Sequence, residues 1–226
     1  MRYIDISGRL ENGMWGYHVL PGLERIIPEV RVKTIATIDN VGFFASKFEF
    51  SSISGTYVET GAHMIKGYKV LEDYGIEDFI KPVKIIRIPY LKGKESVTVD
   101  HLKKSGTEVK KGEALIVDTG WWRRWNKDGY VLNSPYYSKD ALMWILDKEI
   151  SIFGVDVPCI ESAWSEDNKE EKGSLLKEMF KRGILLVAPL VNLGKIKSNS
   201  GTVYCFPINV KGSCGAPARV VFEEII

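Results

Sequence analysis

"GEALIVDTGW", Gly112 to Trp121, decides the fold class. Ala114 to Val117 is an unbroken apolar run, and Asp118-Thr119-Gly120 punctuates it, so the stretch predicts a buried strand. Working outward, "VKIIRIPYL" (Val83–Leu91) upstream and "ISIFGVDVP" (Ile150–Pro158) downstream predict further strands. Between them "SKDALMWILDKE" predicts a helix. Ser138 is its N-cap, and Ala141, Leu142, Ile145 and Leu146 mark one face. "SLLKEMFKRG" predicts a second helix with a stop at Gly183. Strands are also expected in "YIDIS" (Tyr3–Ser7), "VRVKTIATI" (Val30–Ile38), "SKFEFSSIS" (Ser46–Ser54), "ILLVAPLVNL" (Ile184–Leu193), "GTVYCFPINV" (Gly201–Val210) and "ARVVFEEI" (Ala218–Ile225). "VLEDYGIEDFI" (Val70–Ile80) suits a short helix or an irregular turn, and "VTVDHLKKSG" a loop or strand with a short helix closed by Gly106. Strands outnumber helices and lack a regular strand–helix–strand rhythm. That pattern predicts a mixed sheet in an α/β or α+β fold.

The 226 residues are 45% hydrophobic, enough core for one domain over residues 1–226. Basic residues number 31 against 29 acidic, a net charge of +2, so neither nucleic acid nor a membrane surface is an expected partner. "MRYIDISGRLENG" has no apolar stretch of signal-peptide type, and no run approaches 18 apolar residues, so a soluble, cytoplasmic protein is expected. The three cysteines, Cys159, Cys205 and Cys214, have no metal-type or disulfide-framework spacing. There are only three histidines, His18, His63 and His101.

Several residues carry chemistry, each against a plainer role. His63 stands in "ETGAHMIKGYK" (Glu59–Lys69) with Glu59 four residues before it. On composition alone a lone histidine is more often structural, and the spacing puts the pair on one face only in a helix. Asp156 follows an apolar strand, where a carboxylate either points into a cleft or caps a turn. Cys159 is a nucleophile only if something lowers its pKa, and no base lies near it in sequence. "TGWWRRW" (Thr119–Trp125) suits packing or a subunit contact better than a ligand site, and "KGSCGAP" (Lys211–Pro217) a tight turn rather than a phosphate loop. "AWSEDNKEEKG" (Ala163–Gly173) suits a solvated mobile loop.

Taken in order, "YIDIS", "GAH", "GEALIVDTGW", "YYSKDALMWILDKEISIFGVDVPCIE", "GILLVAPLVNLGKI" and "GAPARVVF" resemble the cyclase family of metal-dependent hydrolases, the group of kynurenine formamidase and isatin hydrolase. The similarity runs from Tyr3 to Phe222. It implies an α/β, swivelling β/β/α-type single domain, a mixed sheet with flanking helices, and a homodimer or homotetramer. It also implies a small-molecule substrate carrying a formamide, lactam or related amide carbonyl. The family loop H-x-G-T-H-x-D-x-P-x-H supplies metal ligands through its first two histidines and its aspartate, and an acid/base through its last histidine. Here the first histidine position is Glu59, the second is kept as His63, the aspartate is Ile65, the proline is Gly67 and the last histidine is Lys69. A later family histidine falls at Leu176 and a family glutamate at Ala188.

Only Glu59 and His63 keep donor chemistry at ligand positions, so no cofactor is expected beyond weak zinc or manganese binding, and the family's ordinary two-metal mechanism is not expected. Glu59, His63 and Lys69 are the candidate catalytic residues. Three readings stay open. One is a hydrolase with a variant metal site helped by Asp156, Cys159 or Glu161. Another is a metal-free enzyme using Glu59, Lys69 and His63 for acid/base work. The third is a non-catalytic binder of small molecules on the same scaffold.

Overall fold

The computed structural model describes residues 1–162 and 173–224. Its twelve strands, in chain order, are β1 (Arg2–Asp5), β2 (Arg31–Ala36), β3 (Ala45–Glu49), β4 (Tyr57–Glu59), β5 (Ile80–Arg87), β6 (Ser96–Val97), β7 (Ala114–Asp118), β8 (Tyr136–Tyr137), β9 (Ile152–Val155), β10 (Leu185–Ala188), β11 (Ser200–Pro207) and β12 (Gly215–Glu224). Four α-helical segments join them: α1 (Ile38–Val41), α2 (Val99–Lys103), α3 (Lys139–Leu146) and α4 (Ser174–Lys181). Short 3-10 turns fill connections, including Gly61–His63 and the two turns Leu71–Asp73 and Ile76–Phe79 within "VLEDYGIEDFI".

The main sheet runs β1-β12-β11-β5-β7-β9-β10-β4, and a further β12–β4 pairing closes it. The result is a seven-stranded barrel with β1 appended to β12. The β5–β7, β7–β9 and β9–β10 pairs are parallel and the others in the ring antiparallel, so the sheet is mixed as expected. Closure depends on β12, which is long enough to change partners. Gly215–Pro217 pairs with β4, and Val221–Glu224 pairs with β1 on that same edge.

Residues of one parity from all seven strands fill the barrel: Val58, Val83, Ile85, Ala114, Ile116, Ile152, Leu185, Val187, Val203, Cys205, Ala216, Val220 and Phe222. The opposite parity of the parallel strands (Ile86, Leu115, Val117, Phe153, Val155 and Leu186) meets α2, α3 and α4 through Leu102, Ala141, Leu142, Ile145, Leu146, Met179 and Phe180. This two-sided burial is why "ALIV" reads as one continuous apolar run. The Ser138 Oγ accepts the Ala141 N–H at 3.2 Å and caps α3 as its sequence predicts.

β2 and β3 form strands as expected, but they stand apart as a two-stranded hairpin, with α1 between them. β4 was not foreseen: its three residues lie where the sequence reads as the approach to a loop. The expected mobile segment "AWSEDNKEEKG" lies, but for Gly173, outside the described residues.

Candidate functional site

Glu59 ends β4, opposite Leu186 of β10 and Gly215 of β12. Strand alternation sends Val58 into the barrel, so Tyr57 and Glu59 face the helix layer. The chain then turns through Gly61–His63, and the Thr60 side chain accepts the Ala62 N–H to start that turn. Sequence spacing alone leaves Glu59 and His63 ambiguous. The strand-to-turn geometry brings Glu59 Oε1 and His63 Nδ1 to 3.1 Å without a helix. The approach direction does not suit a hydrogen bond, so the buried Oε1 has no hydrogen-bond partner.

The loop is held by the turn at the end of "KGSCGAP". The Thr60 N–H and hydroxyl both donate to the Cys214 carbonyl, at 2.8 and 2.9 Å, and the Leu71 N–H donates to the Ser213 carbonyl. Gly215 is needed here: a Cβ would lie 2.8 Å from the Val58 carbonyl oxygen and 3.4 Å from Glu59 Cα. On the far side α4 packs against the Gly61–His63 turn. Glu161 accepts the Leu175 and Leu176 N–H groups at 3.3 and 3.4 Å, so it caps the first turn of α4.

Burial sets the protonation of this cluster. Desolvation pushes the Glu59 carboxyl up to about 8 and pulls the His63 imidazole below its ordinary value. Both shifts run in the direction of a protonated carboxyl beside a neutral imidazole. The Tyr17 and Tyr57 hydroxyls meet at 2.9 Å, Tyr17 also donates to the Pro158 carbonyl, and burial holds both phenols protonated. The Cys159 thiol is pushed up to about 12 by burial and by the carboxylates of Glu161 and Glu59, which rules it out as a ready nucleophile. Tyr17, Tyr57 and Cys214 escaped the sequence reading. Nothing in their local sequence marks them, because only barrel closure assembles them around Glu59.

The other candidates lie differently. Lys69 is exposed at the loop's outer end, its Nζ 5.7 Å from the centroid of the Tyr74 ring. Asp156 is buried and accepts the Thr119 N–H and hydroxyl and the Trp122 N–H, so it pins the turn after β7. Burial and neighbouring Asp118 push its carboxyl up to about 7. In "TGWWRRW", Trp121 stacks on Tyr130, and Trp125 meets Trp15 and Tyr130, in keeping with the packing role. A cavity of about 400 Å³ lies beside this turn, lined by Arg87, Tyr90, Asp118 and Arg123 among others. Its Arg87 is committed to Asp118, Asn199 and the carbonyls of Leu193, Ile196 and Ser198.

A catalytic divalent ion takes about three protein ligands. Around Glu59 and His63 the third candidate is Cys214, whose Sγ is 4.0 Å from His63 Nδ1 and whose thiol burial pushes up. Ile65, Leu176 and Ala188, which the resemblance sets against the family's remaining ligands, are packed into the apolar layer. Among the described residues no three His, Cys, Asp or Glu side chains converge as a metal-holding group. The donor set does not fit the family's metal centre.

A closed mixed barrel with a helix layer over one side is a fold shared with solved hydrolase structures. Isatin hydrolase A from Ralstonia solanacearum superposes with a TM-score of 0.84 at 18% identity, covering 97% of this chain and 90% of that one. Isatin hydrolase A from Labrenzia aggregata, bound to benzyl benzoate, gives 0.83 at 17% identity, covering 97% and 92%. Among curated proteins, the kynurenine formamidase of Bacillus cereus is 25% identical over 99% of this chain and 98% of its own length. The family described as "Putative cyclase" matches residues 4–162. The chain belongs to the cyclase family.

Proposed function

We propose that this protein is a small-molecule hydrolase that cleaves an amide carbonyl, a formamide or lactam, with Glu59 and His63 as its acid/base pair. The observation that carries the reading is the buried Glu59 carboxyl, whose Oε1 has no hydrogen-bond partner although it touches His63. A buried polar atom without a partner costs about 1–3 kcal/mol, and the fold needs no carboxyl at a strand end facing helices. Such groups collect where a ligand or a reacting water completes the bonding.

In this reading neutral His63 takes a proton from water as the oxygen attacks the carbonyl carbon. The Glu59 acid gives its proton to the departing amide nitrogen as the C–N bond breaks. The imidazolium then gives its proton to solvent and Glu59 regains one from solvent as the products leave, a carboxylic acid and an amine. Lys69 adds positive charge at the mouth of the loop and suits a substrate with an anionic group. The relatives' names, a formamidase and isatin hydrolases, support an amide carbonyl as the target. A second reading, binding without turnover, is favoured by one observation: Ile65, Leu176 and Ala188 make the layer beside the pair apolar.

The test is turnover of N-formylkynurenine and of isatin, with and without added zinc or manganese. Hydrolysis by the purified protein that a chelator leaves unchanged supports the acid/base pair. Hydrolysis that appears only with added metal overturns it. Saturable binding of either compound with no turnover selects the second reading.

A further inference from the structure

We propose that the cavity of about 400 Å³ beside the turn after β7 is a second small-molecule site, and that it takes an aromatic carboxylate. This site does not depend on Glu59, since β9 and β10 stand between β7 and β4 in the sheet. Arg87, Ile88 and Tyr90 line it from the end of β5, and Asp118, Gly120 and Arg123 from the end of β7. Its volume lies in the range of clefts that hold small ligands. The two walls are tied by backbone bonds. The Ile88 N–H donates to the Asp118 carbonyl at 3.1 Å, and the Leu91 N–H to the Thr119 carbonyl at 3.2 Å. The lining side chains therefore stand on a rigid base.

The charges of the lining are spent but for one. Arg87 and Asp118 pair at 3.1 Å and cancel. The Arg87 guanidinium is otherwise filled by the Asn199 side chain and three backbone carbonyls. The Asp118 carboxylate also accepts the Gly120 N–H at 3.0 Å and the Trp122 indole N–H at 3.1 Å. Arg123 is the surplus cation. Its guanidinium carbon lies 4.4 Å from the centroid of the Trp122 ring, and its Nη1 donates to the Gly120 carbonyl at 3.3 Å. No other hydrogen bond ties Arg123 among the described residues, so most of its N–H donors are open. Stacking on Trp122 already fixes the fork that a carboxylate takes with two parallel hydrogen bonds. The aromatic part of the ligand follows from Tyr90, which is 51% exposed. A Cβ added at Gly120 would run into Arg123 Nη1 and lie 2.9 Å from Tyr90 Cδ2, so guanidinium and phenol ring converge over that glycine. A ring packed on Tyr90 sets its own carboxylate within reach of Arg123. An inorganic anion leaves Tyr90 uncovered, and a cation meets like charge.

The experiment is isothermal titration calorimetry of the full chain with benzoate, benzamide and acetate, for wild type, Arg123→Gln, Tyr90→Ala and Glu59→Gln. Wild type should bind benzoate saturably below about 10 mM, and benzamide and acetate about 10-fold more weakly or worse. Arg123→Gln should weaken benzoate about 10-fold or more, and Tyr90→Ala about 3-fold or more. Glu59→Gln should stay within about twofold of wild type, which separates this cavity from the acid/base pair. Absence of saturable benzoate binding, equal binding of benzamide or acetate, or an Arg123→Gln or Tyr90→Ala protein that binds as tightly overturns the proposal. Binding lost in Glu59→Gln and kept in Arg123→Gln puts the ligand at the other site and overturns it too. Should a variant not fold, the amide resonances of wild type decide. Benzoate should shift those of Tyr90, Gly120 and Arg123 along its binding curve, and unmoved resonances there contradict the site.

Discussion

Glu59 and His63 titrate in opposite senses, and the sign of each follows from burial. The Glu59 carboxyl is raised to about 8 in the fold from an ordinary 4.5. Folding therefore favours its protonated form. The stability this lends is fully present below pH 4.5 and is lost as pH rises towards 8. A fully buried group makes the change on the order of 4 kcal/mol across that window. Glu59→Gln should flatten the decline, and urea denaturation at pH 5.5 and pH 8 reads it. His63 is lowered below 6.5 by desolvation, so its contribution is present above pH 6.5 and is lost as pH falls. His63→Gln should therefore protect the fold selectively at acidic pH. The sequence shows both residues and the unusual glutamate. It cannot show that Glu59 is buried, because its neighbours Thr60 and His63 read as polar loop.

At the scale of elements, caps and turns carry measurable stability. Ser138→Ala should cost about 1 kcal/mol by removing the α3 cap, seen as a lower denaturation midpoint with unchanged m-value. Asp156→Ala should cost more, about 2–3 kcal/mol, because it leaves the buried Thr119 N–H and hydroxyl, and the half-buried Trp122 N–H, without their acceptor. Asp156→Asn keeps one acceptor oxygen and should recover part of that loss in the same assay. The long apolar strands and both eight-residue helices were legible, since a buried run and a capped amphipathic face are local signals. β4 was not, since three residues are too few for periodicity, and its strand state comes from pairing with β10 and β12. The "VRVKTIATI" and "SKFEFSSIS" segments read correctly as strands. Their separation from the main sheet is a tertiary fact that alternation cannot carry.

For the whole molecule, barrel closure makes the site. β12 pairs with β4 through Gly215, and this pairing sets Glu59 against the helix layer. Gly215→Val would place a side chain against the Val58 carbonyl and Glu59 Cα. It should cost about 1–3 kcal/mol in denaturation experiments and loosen the 59–71 loop, seen as faster amide exchange there. A mixed sheet with flanking helices was legible from the order of segments, but its closure into a ring was not. The Gly215 turn and its partner strand lie 156 residues apart at Gly215–Glu59, and no local pattern links them. The account rests on Glu59 as the working acid of that closed scaffold. Its most direct test is kcat/KM for N-formylkynurenine or isatin hydrolysis by wild type and by Glu59→Gln, each confirmed as folded. The prediction is wild-type turnover that falls about 10²–10⁴-fold in the variant. A Glu59→Gln protein as active as wild type would contradict it.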